Sequence, residues 1–208
     1  MSITSELISS IIQVMLAILI PFIFFVYRKN KEESFFSSIG FYAPTIKSFY
    51  YLIGISVIIV VAGFCLILIV KQVKEVALSQ ITIAYKVKSA GLNINGILIL
   101  LINTTIKTSL SEEIFFRGFL GKKLINRYGF HTGNLIQSII FGLAHFIPLA
   151  LLIKTNILPL ILIFMFTALA GWTIGYYKEK KSNGSIIPGW IAHAFGNTVA
   201  TFIMSYLM

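Results

Sequence analysis

The sequence predicts an all-α, polytopic membrane protein with about six transmembrane helices around a polar intramembrane cavity. Three observations carry this. The chain of 208 residues is 57% hydrophobic, with a mean hydropathy of +0.91; soluble domains are usually about 45–50% apolar. Only 12% of residues are charged and none is Asp, too little to cover a water-exposed globule of this size. The apolar residues fall into runs near the ~20 residues a bilayer needs, too long and too little alternating for strands.

The first run spans about Leu7 to Tyr27. Its first charge is Glu6, and the basic cluster Arg28, Lys29 and Lys31 follows it, so it reads as an uncleaved anchor rather than a signal peptide. A linker precedes the second run, Phe49 to Val70, which holds the single cysteine, Cys65, expected to be a small apolar side chain. The more polar residues 71–93 carry Lys71, Lys74, Lys86 and Lys88 and predict an interfacial helix. The third run, Ile94 to Leu120, turns polar in its second half. The fourth is Gly133 to Ile153 and the fifth Ile157 to Tyr177, where Gly171 and Gly175 predict close helix packing. The sixth is Ile186 to Leu207. Residues 1–93 are read as N-terminal helices and linker, and 94–208 as the core that carries the chemistry.

The net charge of +10 would suggest nucleic acid in a soluble protein, but no basic face with interleaved aromatics exists and nucleic acid is not an expected partner. The bilayer is. Arg28, Lys29, Lys31, Lys47, Lys122, Lys123, Arg127, Lys178, Lys180 and Lys181 fall on one side of the runs. Lys71, Lys74, Lys86, Lys88 and Lys154 fall on the other. This bias places the first group in the cytoplasm and both termini outside.

The few polar groups inside the runs are the candidate site. An ionisable side chain at mid-membrane costs about 2.5–3.5 kcal/mol on insertion scales. The third run holds Glu112, Glu113 and Arg117. Glu113 and Arg117, four apart, share a helix face, while Glu112 points about 100° away and needs another partner. A carboxylate out of water beside a second one suits proton transfer near neutral pH. Ser109-x-x-Glu112 also matches a capping box, which would make Glu113–Arg117 an ordinary surface pair. His145 lies in the fourth run. His193 and Asn197 lie one turn apart in the sixth. Each has a bland reading as a hydrogen-bonded helix contact, but three such segments favour one shared site. His131 reads as interfacial, and Lys107 as snorkelling or lining the cavity.

At these residues the chain resembles the CAAX-protease and bacteriocin-processing family of intramembrane proteases, also called the Abi family. Glu112-Glu113-x-x-x-Arg117, Phe141-x-x-x-His145 and His193-x-x-x-Asn197 match its three motifs in order, over roughly Ile94 to Ala200. The resemblance implies an intramembrane endopeptidase with a cavity opening to the cytosolic side. It implies that Glu112 and His145 activate water, that His193 and Asn197 stabilise the oxyanion, and that Glu113 and Arg117 support the site. Its substrate would be a membrane-associated peptide or lipid-anchored protein, in bacteriocin processing or self-immunity. No cofactor is expected: zinc on Glu112, His145 and His193 is the alternative, but the HExxH helix is absent. Two other function classes stay open, a non-catalytic immunity or scaffold protein and a proton-coupled transporter.

Overall fold

The computed structural model describes residues 2–27 and 33–208, with backbone alone for 46–49. The basic cluster Arg28, Lys29 and Lys31, with Glu32, lies outside the described residues, as does the Lys47 side chain. Every element found is helical: α1 (Ile3–Tyr27), α2 (Phe35–Ser38), α3 (Ile46–Ile69), α4 (Lys71–Ala77), α5 (Ile83–Ala90), α6 (Ile94–Tyr128), α7 (Phe130–Leu152), α8 (Ile157–Lys181) and α9 (Ile187–Tyr206). Among the described residues there is no strand.

Among the described residues, five helices are long and apolar enough to cross a bilayer: α1, α3 from Tyr50, α6, α7 and α8. The sixth expected span forms as α9, a 20-residue helix, but its His193, Asn197 and small residues leave it short of that apolarity. The polar stretch after α3 folds into two short helices, α4 and α5, neither long enough to cross. Cys65 is exposed on α3.

The helix ends have local causes. Asn93 caps α6 by accepting from the Gly96 amide at 3.1 Å. Gly129, at φ +77°, ends α6 and starts α7 in a single residue, a left-handed conformation that glycine adopts without strain. The hairpin is tight: a Cβ on Gly133 would lie 2.5 Å from the Ile125 amide nitrogen.

α1 and α6 run parallel. Glu6 meets Lys107, Gln13 bonds the Lys107 carbonyl, and Phe24 packs on Phe119. α9 runs antiparallel to α6, from His193 beside Glu113 to Tyr206, whose hydroxyl donates to the Gly91 carbonyl at 2.9 Å. α7 and α8 form the most extensive helix pair. Their contact uses the small residues expected in α8: a Cβ on Gly175 would stand 2.0 Å from Asn134 Oδ1, and one on Gly171 2.8 Å from Phe141.

The linker after α1 closes one end of the bundle. Ile39 is buried with Ile114 of α6 and Ile186 at the start of α9. The Ile186 amide donates to Gly40 O at 2.9 Å, and Ser185 Oγ donates to Tyr42 O at 2.6 Å. The Tyr42 hydroxyl donates to Asn183 O at 2.6 Å. Partial burial, with Glu179 and Glu33 adding, holds that hydroxyl above the ordinary tyrosine range. A second apolar cluster, Val87, Ile99 and Leu100, seals α5 onto α6 at the other end.

Candidate active site

α6 carries the acidic pair, and it is not a regular helix there. Ile102–Leu110 and Glu113–Gly121 are π-helical, a rare i→i+5 geometry that recurs at functional sites. The sequence suits it: hydroxyl side chains bond back to the widened backbone, Thr108 to Asn103 O at 2.9 Å and Ser109 to Thr104 O at 2.6 Å. Neighbouring helices donate to two more of its carbonyls. Trp190 Nε1 reaches Thr105 O and Gln13 Nε2 reaches Lys107 O, both at 2.8 Å.

The capping-box reading of Ser109 and Glu112 is overturned, because α6 begins at Ile94 and both residues lie in its middle. The surface-pair reading of Glu113–Arg117 is overturned too: both side chains are 0% exposed, with Arg117 Nε 3.5 Å from Glu113 Oε1. The guanidinium lies on the face of Phe141, its Cζ 3.9 Å from the ring centroid. Among the described residues its three nitrogens have no hydrogen-bond partner, so the carboxylate's charge and the ring hold it.

His193 links this pair to the second carboxylate. Its Nδ1 is 3.1 Å from Glu113 Oε1. An ionised carboxylate only accepts, so Nδ1 carries the hydrogen. Nε2 points to Glu112, 3.7 Å from Oε2, beyond hydrogen-bond reach. Glu112 is the accessible carboxylate, 19% exposed against 0% for Glu113, and among the described residues its Oε2 has no hydrogen-bond partner. The group that Glu112 faces across the bundle is the His193 ring, 3.7 Å away.

Asn197 sits one turn further along α9. Its Nδ2 donates to Ser109 Oγ at 3.2 Å. His145, on α7, gives Nδ1–H to the Phe141 carbonyl at 2.9 Å, which leaves Nε2 as the acceptor of the neutral ring. His145 makes no hydrogen bond or ion pair with Glu112 among the described residues. Phe141 stands between the parts, its centroid 4.6 Å from the His145 ring and 6.3 Å from the His193 ring.

His145, His193 and Asn197 line one cavity of about 370 Å³. Most of its other walls are apolar, including Val60 and Phe64 of α3, Val76 of α4, Ile83 of α5 and Phe166 of α8. The N-terminal residues, silent in motifs, thus supply much of the cavity. Lys107 is not in its lining, and His131 is exposed at the start of α7. Among the described residues, no three His, Cys, Asp or Glu side chains are grouped as ligands for one metal ion.

Glu113 is not the only acid buried in the bundle: Glu6, at the start of the first run, is 4% exposed, packed with Lys86 and Lys107. The signal was Lys107, a basic residue inside a run with no partner near in sequence.

Fold and site together define a polytopic helical membrane protein with a polar site inside its bundle. The family model described as type II CAAX prenyl endopeptidase, Rce1-like, matches residues 94–199, just over half of the chain and all six candidate residues. The chain belongs to this Rce1-like family of intramembrane proteases. Comparison with curated proteins and with solved structures gives no match.

Proposed function

We propose that this chain is an endopeptidase that cuts a membrane-associated peptide or lipid-anchored protein with a water activated by Glu112 and His145. The observation that carries this is the convergence of α6, α7 and α9. They bring two imidazoles and an amide to the wall of one apolar cavity, with an accessible carboxylate, Glu112, 3.7 Å behind one of those imidazoles. The water lies between Glu112 and His145 Nε2. Its oxygen attacks the scissile carbonyl carbon while Glu112 takes its proton. His193 Nε2–H, in the imidazolium form, and the Asn197 amide hydrogen not given to Ser109 meet the negative charge on the carbonyl oxygen. Glu112 then returns the proton to the leaving nitrogen as the C–N bond breaks, and no covalent enzyme intermediate forms. Glu113 and Arg117 hold His193 in place. No step requires a metal.

The cavity's apolar walls and the family's description as prenyl endopeptidases support a substrate that carries an apolar or prenyl group. His193 lies near the α9 end that meets the linker after α1. That is the side the basic residues assign to the cytoplasm, which supports a site opening there. Bacteriocin processing or self-immunity is the cellular role we assign, on resemblance.

The test is cleavage in proteoliposomes of quenched peptides ending in CAAX, prenylated and unprenylated, with and without a zinc chelator. Wild type cleaves the prenylated peptide with chelator present. Glu112→Gln lowers kcat by about 10²–10⁴-fold at unchanged thermal stability. Wild-type rates in Glu112→Gln would sink the assignment, and activity lost to chelator and restored by zinc would replace it with a metalloprotease. The same variants, tested for bacteriocin maturation and immunity in cells, separate the protease from a scaffold.

A further inference from the structure

A second polar cluster lies on the other side of the bundle, where α1, α5 and α6 meet. Glu6 is 6% exposed in its side chain and receives two ammonium groups. Lys86 Nζ is 3.1 Å from Oε1 and 3.2 Å from Oε2. Lys107 Nζ is 3.9 Å from Oε2 and makes no hydrogen bond among the described residues. The Lys86 and Lys107 side chains are 26% and 19% exposed. One carboxylate faces two cations, so the cluster carries one positive charge that no described group balances.

The geometry points to a binding site for the headgroup phosphate of an anionic phospholipid, held by Lys107 and Lys86. The excess charge selects a singly charged anion. Its place selects a lipid over a free ion. α5 is too short to cross the bilayer and lies where a span ends, at the depth of headgroups. Leu7, Tyr85 and Ile106, beside the three charged residues in sequence, are 37–40% exposed apolar side chains on the same helices, ready to meet acyl chains. None of the three charged residues lines the cavity, so the inference is independent of the peptidase reading.

Native mass spectrometry of the detergent-purified chain tests it. The probes are phosphatidylglycerol, phosphatidylcholine with the same acyl chains, and inorganic phosphate. Wild type retains phosphatidylglycerol about fivefold more than phosphatidylcholine, the effect of about one well-placed lysine. Lys107→Gln abolishes the preference, Lys107→Arg keeps it, and Lys88→Gln, which removes an exposed lysine of α5, leaves it unchanged. A wild type without the preference, or a preference that survives Lys107→Gln, overturns the site. Inorganic phosphate that competes with the lipid at equal concentration overturns the lipid assignment. Should Lys107→Gln lower the melting temperature, the Arg and Lys88 variants still decide, since loss of preference in Lys107→Arg or in Lys88→Gln also overturns the site.

Discussion

Ser109 has one hydroxyl hydrogen, and it is given to the Thr104 carbonyl. What remain are two lone pairs, one of which faces the Asn197 amide. That arrangement decides which end of the amide turns to Ser109: a lone pair cannot receive the amide oxygen, so Nδ2 points there. One Nδ2 hydrogen stays free for the cavity. Ser109 is therefore a positioning residue. Ser109→Ala lets the amide turn over and is expected to lower kcat by about 10-fold or more, a fraction of the loss from removing an oxyanion donor outright. KM stays near wild type, and Ser109→Thr restores the rate. A rise in KM at constant kcat would instead assign Ser109 to substrate binding. Arg117 rests on similar reasoning: its charge is met by Glu113 and its plane by Phe141, a pairing a lysine would not reproduce.

At the scale of elements, two helices set the site's dimensions. π-helical α6 brings Glu112 and Glu113 to the two nitrogens of His193, and hydroxyls from its own chain bond the widened backbone. α8 presses on α7 through Gly171 and Gly175. Phe141 and Asn134 occupy the space their side chains would take. Gly175→Ala would place a methyl 2.0 Å from Asn134 Oδ1 and force α8 away from α7. The expected cost is about 1–3 kcal/mol of stability, read as a lower melting temperature in detergent. Because α7 carries His145 and Phe141, activity falls with it. Unchanged melting would show that the helices separate without penalty.

At the scale of the molecule, the residues before Ile94 are walls as well as anchors. α3, α4 and α5 line the cavity, and Ile39 covers Ile114 and Ile186. A fragment of residues 94–208 would leave the cavity open to lipid and Ile114 uncovered. It is expected to insert in the membrane yet show no protease activity, and to regain it when residues 1–93 are co-expressed as a separate chain. Full activity of the fragment alone would restrict α1 to α5 to anchoring.

The sequence by itself determined the helical membrane class, the break between the second and third runs where two short helices form, the close contact at Gly171 and Gly175, and the polar side chains of α6, α7 and α9 that make up the candidate site. These rest on composition, run length and local spacing, which a linear chain carries. Spacing also put Arg117 in reach of Glu113. Only the tertiary structure decided what each polar group faces. That His193 lies between the two carboxylates, that Ser109 orients an amide rather than capping a helix, and that Glu6 is buried with two lysines all depend on residues about 80 to 100 positions apart. The π-helical stretches were equally illegible, because their register is upheld partly by donors from α1 and α9. Burial and partnership in a bundle follow from which helix faces meet, and no local pattern encodes that meeting.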